Sequence, residues 1–433
     1  MPKVLISDNL SARAVDIFKE RGVEVDFKPG MAPDDLLASI AAYDGLAVRS
    51  ATKVTAEVLD AGQNLKVIGR AGIGVDNIDV AAATARGVMV MNTPFGNSIT
   101  TAEHAIAMMM ALARQIPAAN ASTHAGKWEK DRFMGVELTS KTLGIIGCGN
   151  IGSILADRAL GLKMKVVVYD PYLSSERATA LGVEKVSFDE LLARADFITL
   201  HAPLTDATSN MIDARAIAKT KPGVRIINCA RGELVVEEDL KAALESGHVA
   251  GAALDVFREE PVRGNVLFGL DNVVATPHLG AATAEAQDTV AKQVAEQIAD
   301  FLITGAIVNA VNMPSVSAEE APVLRPYMKL AEQLGGFAGQ ITETGLRAVS
   351  VEYAGQVAEL NTRSLTSLAL KGLLTPLLDS VNMVNAPFIA REREIDVTEI
   401  KRERASDYQS LVTLTVTTER RSRSVAGTLF GGD

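Results

Sequence analysis

Aromatic side chains are scarce. They make up 4% of the 433 residues, and Trp128 is the single tryptophan. A protein that holds single-stranded nucleic acid needs aromatic faces for the bases to stack on, so this composition argues against one. Cysteine is nearly absent too. Cys148 and Cys229 stand far apart, which rules out a disulfide framework, and no CxxC spacing marks a zinc site, so no metal is expected. Positive charge is not in excess: 53 acidic residues against 43 basic give a net charge of -10. That excludes a general polyanion binder but allows a small anionic substrate held by a few local arginines. Long apolar runs are also missing. The longest, around residues 105–113, lies between His104 and Arg114 and is too short to span a bilayer. The opening MPKVLISDNL lacks the basic-then-apolar layout of a signal peptide. A cytoplasmic chain with no membrane and no nucleic-acid partner is the expectation.

What is present describes a globular protein. The chain is 48% apolar and 22% charged, enough to bury sizeable cores. At roughly 150 residues per domain it holds about three domains. The first hundred residues alternate between short strand runs (KVLISD, VEVDFK, GLAVR, KVIGR, VMVMN) and helical segments closed by glycine. This alternation predicts a parallel sheet covered by helices. One long helix is predicted from about 98 to 125. A second alternating series starts at TLGIIG (142–147) and continues through KVVVYD, DFITLHAP, VRIINCARG, VAGAALDVF and NVVATPH. It predicts a second open α/β sheet. The amphipathic helix 283–305 is expected to return to the first domain. After Pro314 comes a linker, SVSAEEAP, then helices at 321–341 and 361–378 and β-rich segments such as SLVTLTVTT. Residues 391–423 carry eight Lys or Arg against seven acids, which reads as a solvated strand face rather than a nucleic-acid patch. The predicted fold class is therefore α/β: two doubly wound parallel-sheet domains, then a C-terminal α+β domain.

Gly147-Cys148-Gly149-Asn150-Ile151-Gly152 is a GxGxxG run that follows one predicted strand and opens a helix, and Asp170 ends the next strand. This is the context a dinucleotide site needs. Gly147 allows the tight turn, Gly149 lets the backbone approach a pyrophosphate, and Gly152 allows close helix–strand packing. The helix N-terminus offers free N–H groups to phosphates. Asp170 can accept hydrogen bonds from ribose hydroxyls and repels a 2′-phosphate, so the expected cofactor is NAD.

Ligands of open α/β sheets sit at the carboxyl ends of the strands. In the second series those ends carry Asp170, His201, Arg231, Asp255, Glu260 and His278. An imidazole transfers protons near neutral pH, a carboxylate beside it fixes its tautomer, and an arginine holds a carboxylate bidentately. Together these supply what hydride transfer at an alcohol carbon requires. Each also has an ordinary structural reading: Arg231 with Glu260 as an ion pair, His278 as a helix cap. The other histidines carry less. His104 reads as packing, His124 and His248 as exposed or capping, and His201 as lining the adenine side. Cys229 reads as a packed thiol. In the first series Arg49, Ser50, Arg70, Gly72 and Asn97 fall at strand ends, where two arginines and free backbone N–H groups suit an anionic substrate.

GRAGIGVDNID, TPFGNS, GIIGCGNIG, NCARGELVVEEDL, AALDVFREEP and TPHLGAAT together resemble the D-isomer-specific 2-hydroxyacid dehydrogenases over about residues 3–312. The resemblance implies a discontinuous substrate domain (1–97 and 283–312) and an inserted NAD-binding domain (98–282). It implies Arg231 as the substrate-orienting arginine, Glu260 as the partner carboxylate and His278 as the acid/base. It also implies Asn150 and Ile151 in the pyrophosphate turn and Asp170 on the adenosine ribose. Ala230, Asp255 and Gly280 would line the nicotinamide side, and Ala202 stands where relatives often carry Thr. Arg49, Ser50, Arg70, Gly72 and Asn97 match substrate-binding positions. The stretch 98–130 resembles a dimerisation arm, so a homodimer or homotetramer is expected. Residues 315–433 resemble the intervening domain of long-form members, in which a small serine-sensing domain follows. Here the sequence stops at Phe430-Gly-Gly-Asp433, as a truncated product or a form without that domain, and insensitivity to L-serine is expected. The implied activity is NAD-dependent oxidation of a phosphorylated 2-hydroxy acid. A glyoxylate or hydroxypyruvate reductase and an NAD-sensing corepressor-like protein are the alternatives.

Overall fold

A computed structural model describes residues 1–314, 320–342, 345–378, 380–403 and 408–430. Its first sheet is built from β1 (Lys3–Ile6), β2 (Glu24–Phe27), β3 (Gly45–Val48), β4 (Val67–Arg70) and β5 (Met89–Asn92). The order is β2-β1-β3-β4-β5, and every neighbouring pair is parallel. Successive strand residues point to opposite faces, yet Val4, Leu5 and Ile6 are all fully buried. Both faces are therefore covered, as in parallel sheets sandwiched by helices. One face packs on Ile17 and Phe18 and on Val290, Val294 and Ile298 of the helix Ala284–Thr304. The other packs on Leu36, Ile40 and Leu59.

The second sheet comprises β6 (Thr142–Ile146), β7 (Lys165–Tyr169), β8 (Glu184–Lys185), β9 (Phe197–Leu200), β10 (Val224–Asn228), β11 (Val249–Leu254) and β12 (Val273–Ala275). The order is β12-β11-β10-β9-β6-β7-β8, parallel throughout. The chain winds outward in both directions from β6, so the order reverses between β6 and β9. That reversal opens a crevice at the carboxyl ends of the strands.

The third sheet is mixed. β13 (Leu346–Gly355), β14 (Asp396–Arg402), β15 (Ser410–Thr418) and β16 (Ser422–Gly427) lie in the order β14-β13-β15-β16. β13 pairs parallel with β14 and antiparallel with β15. Alternate residues of β15 are buried against helices Ala321–Gln340 and Thr362–Leu374, so one face makes the core. All of β14 is exposed. The fold is thus two doubly wound parallel sheets and a C-terminal α+β region. By internal contacts the chain forms two units, Met1–Thr93 with Asp288–Asp433, and Pro94–Gln287. Among the described residues no helix is long and apolar enough to cross a membrane.

Two expectations need correcting. The single helix over 98–125 is two helices, Ser98–Ala113 and Ile116–His124. Gln115 between them takes φ 51°, and Pro117 lies in the first turn of the second helix, where its missing N–H costs nothing. Arg391 and Glu392 belong to a helix, Ala386–Glu392, rather than to a strand. The linker SVSAEEAP falls at 315–322, of which 315–319 lie outside the described residues, as do 431–433.

Candidate active site

The GxGxxG run leaves β6 at the crevice. Gly147 has φ 90°, a conformation that glycine adopts without strain. A Cβ on Gly152 would overlap the Gly147 carbonyl, whereas a Cβ on Gly149 would meet nothing within 4 Å. The inner face of the turn is closed against its own helix and the outer face is open to a ligand. The helix Asn150–Gly161 begins there, with its first N–H groups free for an anion. The backbone of Ala202 closes against Gly147, and its side chain offers no hydroxyl. Ile151 packs partly into the core beneath, and the Asn150 side chain donates through Nδ2 to the Pro94 carbonyl at 3.3 Å. Asp170 follows β7. Its carboxylate accepts from the Cys148 amide at 2.7 Å and from the Tyr172 amide at 2.8 Å. These residues fit the pyrophosphate and adenosine ribose of NAD.

Further along the same edge, the structure brings Glu260 and His278 together from separate loops. His278 Nδ1 lies 2.6 Å from Glu260 Oε2, with both side chains partly exposed. Glu260 Oε1 accepts from the Phe257 amide at 3.1 Å. Burial pushes the Glu260 carboxyl up, but the His278 and Phe257 hydrogen bonds hold it below the usual carboxylate range. Because the carboxylate accepts, Nδ1 is the donor, and Nε2 is the ring nitrogen left for a substrate proton. Arg231 follows β10. Its carbonyl accepts from the Asn228 side chain at 2.8 Å, and its Nη1 donates to the Ala230 carbonyl at 2.6 Å. A Cβ on Gly232 would overlap the backbone at Phe257–Arg258. This close approach sets the loop bearing Arg231 against the loop bearing Glu260.

Asp255 directly follows β11 and is fully buried. It accepts from Thr276 Oγ1 at 2.6 Å, from the Leu279 amide at 2.7 Å and from the Gly280 amide at 2.8 Å. Its carbonyl accepts from the His278 amide at 2.9 Å. Thr101 donates to the Gly280 carbonyl at 2.9 Å. His104 is more than packing, since its Nε2 is 3.2 Å from Asp255 Oδ1. No sequence signal joined His104 to residues some 170 positions away. His201 lies with Nε2 2.9 Å from Thr199 Oγ1, while Nδ1 is buried without a partner; burial pushes it down to about 4. His248 Nε2 lies 3.0 Å from Thr220 Oγ1 and 3.0 Å from the Ile217 carbonyl in the last turn of the helix Ala214–Ala218, which fits the capping reading rather than the exposed one. His124 is exposed. Cys229 is buried, and burial pushes its thiol up.

In the first unit, Arg49 and Ser50 follow β3. The Arg49 amide donates to Asp8 at 2.5 Å, and Asp8 also accepts from the Thr52 amide and hydroxyl at 3.0 and 2.6 Å. The Asn77 side chain donates to the Arg49 carbonyl at 2.8 Å. This Asp8 clamp was not visible in the sequence. Arg70 ends β4, and its guanidinium lies over Gly72, in space that any Cβ there would fill. In the second unit, buried Asn97 precedes the helix Ser98–Ala113, and its carbonyl accepts from Thr101 at 3.0 Å.

Residues 106–280 match the family model "D-isomer specific 2-hydroxyacid dehydrogenase, NAD binding domain". Residues 323–433 match "D-3-phosphoglycerate dehydrogenase intervening domain". The chain is 47% identical over 432 residues to a D-3-phosphoglycerate dehydrogenase of Synechocystis sp., covering 99% of this chain and 78% of that one. It is 45% identical over 433 residues to a D-3-phosphoglycerate dehydrogenase of Archaeoglobus fulgidus, covering 100% and 82%. Among solved structures it is similar to a D-lactate dehydrogenase of Aquifex aeolicus complexed with NAD and lactic acid. That match has 27% identity and a TM-score of 0.64, over 72% of this chain and 100% of that one.

Proposed function

The chain belongs to the D-isomer-specific 2-hydroxyacid dehydrogenases, and from that premise we infer that it oxidises D-3-phosphoglycerate to 3-phosphohydroxypyruvate with NAD. This is the first step of the phosphorylated route to L-serine. The observation that carries the chemistry is the 2.6 Å His278–Glu260 pair on the same sheet edge as the Gly147–Gly152 turn. NAD, when bound, supplies the hydride acceptor. His278 takes the hydroxyl proton at Nε2, and Glu260 stabilises the imidazolium that results. Arg231 holds the substrate carboxylate bidentately. The turn with Asn150, Ile151 and Asp170 binds the adenosine half of the dinucleotide, Ala230, Asp255 and Gly280 line its nicotinamide side, and Ala202 lines the cofactor without a hydroxyl.

The reading assigns 1–97 with 283–312 to substrate binding, 98–282 to NAD and 315–433 to an intervening domain. It assigns Arg49, Ser50, Arg70, Gly72 and Asn97 to the substrate. Two arginine side chains are the chemistry that a phosphate dianion requires in a protein of net charge -10. The protein acts as a cytoplasmic homodimer or homotetramer. Supporting self-association, Ile116, Trp128 and Met134 are 53%, 81% and 77% exposed on one stretch of chain, apolar surface that a second copy would cover.

Steady-state assays with D-3-phosphoglycerate and NAD, set against glyoxylate and hydroxypyruvate with NADH, test the substrate. A higher kcat/KM for the phosphorylated acid is expected. A clear preference for glyoxylate or hydroxypyruvate overturns the reading.

A further inference from the structure

The loop that presents His278 is held from behind by a side chain the reaction does not consume. His278 itself has φ 55°, a left-handed conformation that a residue with a Cβ keeps only when its surroundings hold it there. Those surroundings are mostly Asp255. Its carbonyl takes the His278 amide, and its carboxylate takes the Thr276 hydroxyl and the Leu279 and Gly280 amides. One carboxylate therefore sets the path of the chain on both sides of His278. His104 reaches that carboxylate from another element, the helix Ser98–Ala113. Its Nε2 is 3.2 Å from Asp255 Oδ1 and 3.3 Å from Thr276 Oγ1. The Thr276 proton is already directed at Asp255, so the hydrogen on Nε2 is the one shared between these two acceptors.

His104, Cys229 and Asp255 also present ligand atoms within 4.8 Å of one another. A cation there would face the hydrogens of Thr276, Leu279 and Gly280, all directed at the same carboxylate, and a thiol that burial and Asp255 hold protonated. The cluster is therefore a hydrogen-bonded buttress and not a metal site.

We propose that His104 is a positioning residue for the acid/base. Its Nε2–H fixes the rotation of the Asp255 carboxylate, and through the Leu279 and Gly280 amides it keeps the His278 ring on Glu260. The proposal rests on the reading of His278 as the acid/base. Electrostatics agree with the geometry. Burial pushes Asp255 up, yet the hydrogen bonds from His104, Thr276 and the Leu279 amide bring it below the usual carboxylate range. Without His104 the carboxyl moves back up. Once protonated it donates where it must accept, and an amide of the loop loses its partner. Among the described residues, the other titratable groups near Asp255 are His278 itself, Cys229, after β10, and Glu260, beyond β11.

The test uses the full chain with His104→Leu, His104→Gln, His104→Asn and His278→Gln, reading kcat against pH, NADH affinity by fluorescence and thermal melting. His104→Leu is expected to lose about tenfold or more in kcat, the scale of a misplaced catalytic group, with NADH affinity changed by less than about threefold. Its acid limb is expected to move to higher pH. His104→Gln, whose amide nitrogen reaches the position of Nε2, is expected to recover most of the loss, and His104→Asn, one methylene shorter, is not. A His104→Leu variant with kcat within about twofold of wild type overturns the proposal. So do equal kcat values for the Gln and Asn variants, a comparison that decides the matter if the Leu variant fails to fold. An active His278→Gln variant would instead sink the acid/base reading itself. An inactive His278→Gln beside a normal His104→Leu would sink the positioning role alone.

Discussion

The amide of Cys148 donates to the carboxylate of Asp170 at 2.7 Å. The residue expected to meet the ribose of NAD thus also pins the middle of the glycine turn that meets the pyrophosphate. Both halves of the adenosine site depend on one charge. NAD should be preferred over NADP by at least about tenfold, the equivalent of about 1.4 kcal/mol, because a 2′-phosphate would meet Asp170 with like charge. Asp170→Ala should narrow that preference and also weaken NAD, since the Cys148 and Tyr172 amides lose their acceptor. Comparable kcat/KM with the two cofactors in the wild-type protein would contradict the assignment.

His278→Ala should lower kcat by on the order of 10²–10⁴, the usual loss for a missing general base, and leave NADH affinity nearly unchanged. Glu260→Gln should also lower kcat, because a neutral amide stabilises the imidazolium less than a carboxylate does. The sign with pH follows from Glu260 itself. Its folded pKa lies below its ordinary value, so the pair's stabilisation is present above that ordinary value and is lost as pH falls through the folded one. Turnover near wild type in either variant, measured at saturating NAD, would show that the pair is structural.

Arg49→Ala and Arg70→Ala should raise KM for D-3-phosphoglycerate far more than for a non-phosphorylated 2-hydroxy acid. The phosphate is the group that needs fixed cations, and bidentate arginine contacts are among the stronger hydrogen bonds. Equal losses on both substrates would indicate that these arginines act on the carboxylate or only on the fold.

His201 should make the protein sensitive to mild acid. Burial pushes its folded pKa down to about 4 from an ordinary 6.5. Below 6.5 the unfolded chain binds a proton that the folded chain refuses, so stability is full above 6.5 and declines as pH falls toward 4. The window is worth on the order of 3 kcal/mol. His201→Asn should flatten the pH dependence of the melting temperature in that range. An unchanged acid slope would mean the ring is protonated in place.

The sequence by itself determined what depends on neighbouring residues. Alternating β-branched runs and glycine-stopped helices announced two parallel sheets, because strand and helix periodicities are local. Gly147, Gly149, Gly152 and Asp170 were legible as a dinucleotide turn, since strand, turn and helix follow one another within a few tens of residues. Arg231, Glu260 and His278 were legible as candidates by lying at carboxyl strand ends. Only the tertiary structure decided which side chains meet. It joined Nδ1 of His278 to Glu260, set Gly232 against the Phe257 backbone, clamped Arg49 through Asp8 across 41 positions and brought His104 to Thr276 across 172. It also broke the helix at Gln115, where the φ of one residue turns the chain. The physical reason is the short range of a hydrogen bond. A donor and acceptor must come within about 3 Å, and for residues on separate elements that distance is set by how sheets and helices pack, which no spacing along the chain records.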